Sequence, residues 1–375
     1  MQECRICHGL LGPPVYESPL DASVTSLCQI LDGKTCVWHC ENCSHTQTKP
    51  LLAVDNFYAV DYHILTGDEK EDQLYSMCDG RKVFRTEHQV TALLEKVNLS
   101  SNARVLDYGS GKGSTLRELC GNHSGIIPFV FDVGEQYRLF WKKFCPEENQ
   151  AVGQLPPDWG NSMDVVVSFF ALEHVSNPRA FVRNVNCLLK PGGVFYFLVP
   201  NIFENTADLV VADHLNHFSE GSLHRLLADA SFVVRDIDAK AHNSAWVVVA
   251  EKSDVKGSVP VTKSVSSQIA DMSTYWREFG GRVRDFESDG EGEVAIYGSG
   301  FYGALIYVSL NNAQKVSCFL DQNPHRQKQS LLGKPILAPE VLPETVGRLY
   351  VGLNPRVARA ELVAVNLPEL EIFFP

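Results

Sequence analysis

The chain has 375 residues, 45% hydrophobic and 21% charged, so it is long enough for two or three domains with separate cores. A formal net charge of −12 argues against a nucleic-acid surface and against a hold on anionic membranes. No apolar run approaches the roughly 20 residues that cross a bilayer, and the Met1 end has no signal-like apolar core. A cytoplasmic protein with reduced cysteines is therefore expected.

The first element is a doubled C-x-x-C. "CRIC" places Cys4 and Cys7, and "CENC" places Cys40 and Cys43. Four thiolates are enough for a tetrahedral zinc with no open position, which implies a structural role in a segment too small to build its own core. Cys28, Cys36, His39 and His45 are alternative ligands nearby. "FYAVDYHILTG" follows, with Tyr58, Tyr62 and His63.

"ARVLDYGSGKGSTLREL" carries the next signal. An apolar strand through Val105 and Leu106 ends in Asp107, and Gly109, Gly111 and Gly113 then lead into a helix. Glycines at the carboxyl end of a strand allow a tight turn and a close approach to a ligand. The spacing is neither a phosphate-binding GK[ST] loop nor GxGxxG. "GIIPFVFD" is a second buried strand, and Asp132 at its end is placed to hold ribose hydroxyls. "MDVVVSFFALEHV" and "LLKPGGVFYFLVPN" are two more strands, and "FVVRDI" with "WVVVAEK" forms a hairpin. Alternating strands and helices of this kind predict a mostly parallel, doubly wound α/β sheet.

"VADHLNHFSEGSL" places Asp213, His214 and His217 just before a helix. Ser219 is a good N-cap and Glu220 suits the first turn. Asp213 and His214 are not needed for capping. They read as an acid–histidine pair, with a metal site together with His217 as the competing reading.

A polar connector, "EKSDVKGSVPVTKSVSS", precedes a helix over 262–288 with an apolar stripe interrupted by Gly280 and Gly281. "VAIYGSGFYGALIYVSL" then gives strand, Gly298-x-Gly300-x-x-Gly303 and helix, and Asp321 ends the next strand. On motif alone this fits a nicotinamide dinucleotide, or glycines that serve only close packing.

The segments "VLDYGSGKG", "DVVVSFFALEHV" and "LLKPGGVFYFLVP" resemble the class I S-adenosylmethionine-dependent methyltransferases. By that resemblance Asp107, Gly109, Ser110, Gly111 and Gly113 border the methionyl part of S-adenosylmethionine. Asp132 takes its ribose hydroxyls, Val133 lies against adenine, and Gly153 in "AVGQLP" approaches the adenine edge. The order "YGSGFYG … FLDQNPHRQ … LLGKPILAPEVLP … VGLN … FFP", behind a four-cysteine knuckle and a methyltransferase segment, resembles the sugar C-methyltransferases. That resemblance implies a zinc-binding domain at 1–60, a methyltransferase domain at 61–253 and a Rossmann-like substrate-binding domain at 254–375. It further implies a small-molecule substrate, a nucleotide-linked keto-deoxysugar methylated at the carbon beside its carbonyl. In that role His214 is the base, Asp213 its carboxylate, and Tyr62 an oxyanion or substrate contact. Other readings stay open: O- or N-methylation of another metabolite, an NAD(P)-dependent oxidoreductase using the Gly298–Gly303 turn, or a non-catalytic binding module. No repeat or coiled-coil pattern indicates an oligomeric state.

Overall fold

Strands buried on both faces need apolar runs without alternation. Val105–Leu106, Val130 and Val165–Val167 meet that condition, all between 0 and 4% exposed. They belong to a computed structural model that describes residues 2–50, 72–78, 81–123, 125–255, 257–363, 365 and 369–375. Tyr58, Tyr62 and His63 lie outside the described residues. The chain divides into two units. The first comprises residues 1–12, 39–202 and 215–265, and the second comprises 13–38, 203–214 and 266–375.

The first unit is built on seven strands: β1 (Arg104–Tyr108), β2 (Ile127–Asp132), β3 (Gln150–Val152), β4 (Met163–Phe169), β5 (Leu189–Pro200), β6 (Phe232–Asp238) and β7 (Ala245–Lys252). They lie in the order β3-β2-β1-β4-β5-β7-β6. The first five are mutually parallel, whereas β7 runs antiparallel to both β5 and β6. In register, Asp107 stands beside Val130 on one side and Val167 on the other. This puts the loops after β1, β2 and β4 at one carboxyl edge. Helices α1 (Arg85–Lys96), α2 (Ser114–Asn122), α3 (Pro178–Leu188) and α4 (Glu220–Ala228) complete the alternation. Val90 and Leu93 of α1, Leu116 and Leu119 of α2, and the fully buried Trp141 pack with Val105, Val130 and Val165 in one apolar cluster. Each such side chain contributes about 1.5–3 kcal/mol by leaving water.

Local sequence sets the helix starts. Asn177 accepts a hydrogen bond from Ala180 N ahead of Pro178 at the start of α3. Ser219 caps α4 as expected. Its Oγ accepts from Ser222 N at 3.2 Å while Ser222 Oγ accepts from Ser219 N at 2.9 Å, which closes a capping box. His217 packs in the same entry, its Nε2 2.7 Å from Thr48 Oγ1.

The second unit carries a mostly parallel sheet of β8 (Glu293–Tyr297), β9 (Val316–Leu320), β10 (Ser330–Leu331), β11 (Lys334–Leu337), β12 (Val346–Val351) and β13 (Glu371–Phe373). Its order is β10-β11-β9-β8-β12-β13, with only the β10–β11 pair antiparallel. Helices α5 (Ser266–Ser288) and α6 (Phe301–Ser309) flank it. Gly280 and Gly281 do not interrupt α5. Segment 203–214 is tied into this unit at several points. Trp276 Nε1 donates to Thr206 O at 2.8 Å, Asn354 Nδ2 donates to Glu204 O at 2.9 Å, and Ala212 N donates to Val24 O at 2.9 Å. Among the described residues no helix is long and apolar enough to cross a membrane.

Candidate functional site

The turn after β1 is held open by backbone bonds. Gly109 N and Ser110 N both donate to Phe131 O, at 2.9 and 3.1 Å, so the loop is pinned to β2 as it leaves β1. Gly109 has φ +80°, and a Cβ there would stand 2.7 Å from Ala171 Cβ. Gly111, at φ +50°, faces open space on that side. The first glycine serves close packing, and the second leaves open space where a side chain would otherwise stand. Trp141 Nε1 donates to Gly111 O at 2.7 Å from beneath. Gly113 begins α2 in the left-handed region.

Asp132 closes the other side of this turn. Its Oδ2 accepts from Gly111 N at 2.8 Å and its Oδ1 from Gly134 N at 3.0 Å. Burial pushes its pKa up, and these backbone N–H groups partly offset that rise. Val133, next along, is half exposed. Gly153 follows β3 and donates its N–H to Asp132 O at 2.9 Å. The structure thus gathers Asp107, Gly109, Ser110, Gly111, Gly113, Asp132, Val133 and Gly153 at the carboxyl ends of β1, β2 and β3. Asp107 is 2% exposed and its Oδ1 has no hydrogen-bond partner among the described residues. Burial first, and the charge of Asp132 second, push its carboxyl up to about 8. A buried carboxylate left unpaired is costly unless a ligand supplies donors or positive charge.

The four predicted cysteines also meet in the first unit. Their sulfurs all lie within 4.8 Å of one another, with Cys4 Sγ 3.6 Å from Cys43 Sγ and Cys7 Sγ 3.5 Å from Cys40 Sγ. The two knuckles repeat one local geometry. His8 N donates to Cys4 O and Ser44 N to Cys40 O, while Cys4 N donates to Gly9 O and Cys40 N to His45 O. His8 and Ser44 occupy the same left-handed position, at φ 59° and 56°. Hydrogen bonds from Cys4 and Cys43 pull the Cys40 thiol well below its ordinary range, and the same crowding pushes Cys43 up. This donor set is able to hold a metal ion.

Asp213 and His214 lie at the end of segment 203–214, in the second unit, with different surroundings from those expected. Asp213 is fully buried and spends both oxygens on Ser26: Oδ1 accepts from Ser26 N and Oδ2 from Ser26 Oγ, each at 2.6 Å. A carboxylate that approaches the imidazole is Asp208, its Oδ1 3.2 Å from His214 Nδ1 but not in hydrogen-bond geometry. Nothing in the spacing of "ADLVVADH" marks Asp208, because it is brought round by a short 3-10 turn at Thr206–Val210. Ser26 is equally unmarked, lying 187 positions from its partner.

The Gly298–Gly303 turn has a packing explanation. A Cβ on Gly298 would run into Gly352 O, and one on Gly303 into Gly298 O. Asp321 at the end of β9 is engaged within the protein. Its Oδ2 accepts from Ser299 N at 3.1 Å and from Ser299 Oγ, and its Oδ1 accepts from Asn323 N at 2.8 Å.

A sheet ordered β3-β2-β1-β4-β5-β7-β6, with β7 antiparallel and a glycine turn after β1, is the class I methyltransferase fold. Residues 81–237 match a family model described as a methyltransferase domain. Over 136 residues the chain is 26% identical to the ubiquinone biosynthesis O-methyltransferase of Acinetobacter baumannii, covering 33% of this chain and 56% of that one. A match over 172 residues, 40% of this chain, is 28% identical to a part of the highly reducing polyketide synthase pkhB of Emericella nidulans that makes up 7% of it. Among solved structures, an S-adenosylmethionine dependent methyltransferase from Mesorhizobium loti superposes on 44% of this chain and 98% of its own, with TM-score 0.37 and 16% identity. The chain thus spans about half the length of the Acinetobacter relative and a small part of the synthase.

Proposed function

We propose that this chain transfers a methyl group from S-adenosylmethionine to a small-molecule acceptor. The observation that carries this reading is the β1–β2–β3 carboxyl edge, where a glycine turn with open space at Gly111 meets a strand-end Asp132 and a buried Asp107 whose Oδ1 has no partner among the described residues. When bound, S-adenosylmethionine supplies an electrophilic methyl group on a sulfonium centre. Asp132 would hold the ribose hydroxyls, Val133 and Gly153 would border adenine, and Asp107 with Gly109–Gly113 would border the methionyl end. Asp107 suits a ligand carrying an ammonium group, which relieves its burial.

The finer reading is C-methylation beside the carbonyl of a nucleotide-linked keto-sugar. His214 would take the proton from that carbon, which could then accept the methyl group that S-adenosylmethionine would supply. Asp208, whose Oδ1 stands 3.2 Å from His214 Nδ1, would stabilise the charged imidazolium and so take the role first assigned to Asp213. Asp213 instead anchors the segment through Ser26. Tyr62 remains the nominee for the oxyanion contact. For the four cysteines we assign a structural zinc. Tetrahedral zinc with bonds of about 2.3 Å sets its sulfurs about 3.8 Å apart, near the 3.5 and 3.6 Å seen here.

The test is thermal unfolding with S-adenosylhomocysteine and, separately, with NADH. A ligand at a hundred times its dissociation constant stabilises by about 2.7 kcal/mol. A rise in Tm with the first and none with the second supports the reading; the reverse pattern would falsify it and favour the oxidoreductase. Mass-spectrometric screening of nucleotide sugars for the gain of one methyl group then tests the substrate class.

A further inference from the structure

The first cysteine knuckle bonds to the segment that follows His214. Arg5 stands between Cys4 and Cys7, and its Nη1 donates to Leu215 O at 2.5 Å while its Nη2 donates to Thr48 O at 2.8 Å. Arg5 N donates to Gln47 Oε1 at 2.9 Å, and Gln47 Nε2 donates back to Glu3 O at 3.1 Å. Leu215 is fully buried and is the next residue after His214 in the chain. Its carbonyl also accepts from Thr48 N at 3.1 Å. Asn216 and His217 then pair antiparallel with Gln47 and Thr46, in the strand that follows the second knuckle.

The same short segment holds the loop after β4. Asn216 N donates to Glu173 O at 3.0 Å, and Asn216 Nδ2 donates to Val175 O at 2.7 Å. Phe218 O accepts from Trp246 Nε1, on β7, at 3.1 Å. Residues 215–218 are thus bonded both to the knuckles and to the carboxyl edge of the sheet, and all of these partners belong to the first unit. Arg5 is half-buried, and among the described residues no carboxylate pairs with it. Its fork spans two carbonyls from different strands, which a single ammonium does not reproduce. Four thiolates around one divalent ion leave a net negative centre one residue away, a counter-charge for the guanidinium.

We infer that Arg5 is a positioning residue that couples the metal-bound four-cysteine centre to residues 215–218. Through them it fixes the loop after β4 and the residue from which His214 extends. The metal sets the turn that carries Arg5, and the guanidinium passes that constraint to Leu215. This coupling rests on the zinc assignment, and its bearing on methyl transfer rests on His214 as the base.

The experiment is amide hydrogen exchange read by mass spectrometry on the full chain, with cofactor and acceptor absent. Wild type is compared with zinc bound and after removal of zinc by a chelator, and Arg5→Gln and Arg5→Lys are measured with zinc bound. Elemental analysis fixes the zinc content of each sample. Fragments covering 46–48, 172–176 and 215–218 report the coupling, and fragments of β1 and β2 serve as reference. Zinc removal and Arg5→Gln are each expected to speed exchange in the reporting fragments by roughly tenfold and to leave the reference unchanged. Arg5→Lys keeps the charge but not the fork, and is expected to fall between wild type and Arg5→Gln. Should zinc removal unfold the whole chain, zinc-bound Arg5→Gln still reads the coupling. Unchanged exchange at 215–218 in folded, zinc-bound Arg5→Gln, or a loss of protection spread evenly into β1 and β2, overturns the inference. A wild-type protein without zinc strikes the metal assignment and the inference together. Absence of stabilisation by S-adenosylhomocysteine would strike the methyltransferase reading and leave this result standing.

Discussion

Replacing Asp107 with asparagine separates what this residue does for the fold from what it does for a ligand. Its carboxyl is raised from 3.8 to about 8, chiefly by burial at the end of β1. Below about pH 4 it is protonated in both folded and unfolded chains, and it has no effect on the balance. Between about 4 and 8 the unfolded chain releases the proton while the folded chain keeps it, so stability falls with rising pH and levels off above about 8. At about 1.4 kcal/mol for each tenfold change in proton affinity, the full difference is roughly 6 kcal/mol. Asparagine carries no charge at any pH and removes this slope. The difference between the two proteins in urea unfolding at about pH 5, 7 and 9 cancels the contributions of groups that do not interact with Asp107. The stability of Asp107→Asn relative to wild type should climb by at least about 2 kcal/mol across that range. Stabilisation by S-adenosylhomocysteine should weaken at the same time. A difference that stays flat to within about 0.5 kcal/mol refutes the account of Asp107 as a buried, charge-strained carboxyl.

Two further substitutions and a metal assay bear on the remaining site. Gly109→Ala combines φ +80° with a Cβ 2.7 Å from Ala171, so it should destabilise the chain by about 1–3 kcal/mol and abolish stabilisation by S-adenosylhomocysteine. Gly111→Ala, with open space around its Cβ, should lose binding with a smaller fall in Tm. Equal Tm losses in the two variants would contradict the division of roles between these glycines. Elemental analysis of freshly purified protein should find one zinc per chain. Cys43→Ser should lower that content and the Tm together; a metal-free wild-type protein of undiminished stability would remove the metal assignment.

The methyltransferase fold was legible because its strands are short apolar runs closed by residues with distinctive chemistry. Asp107, the three glycines and Asp132 sit on consecutive strand ends, where local sequence and site geometry coincide. The cysteine knuckles were legible for a similar reason, since each pair is formed within a single turn. Asp208 was not, because its place beside His214 depends on a 3-10 turn that no residue spacing announces. Asp213 misled for the complementary reason: adjacency in sequence suggested a pair, yet its carboxylate serves a serine almost two hundred positions away. Tyr302 was equally hidden, because its contact with Asn205, 97 positions away, leaves no local trace.

The division of the chain bears on how it is made. Residues 13–38 belong to the second unit, as do residues 203–214, but the bulk of that unit lies beyond residue 265. On the ribosome the early segment emerges long before the sheet it belongs with, and the methyltransferase sheet is complete first. The segment bearing Asp208 and His214 is synthesised immediately after β5, yet Tyr302 and Trp276 follow only later. Docking of segment 203–214 against Tyr302 and Trp276 is therefore expected among the last folding events, and a chain stopped near residue 265 would carry His214 without those contacts.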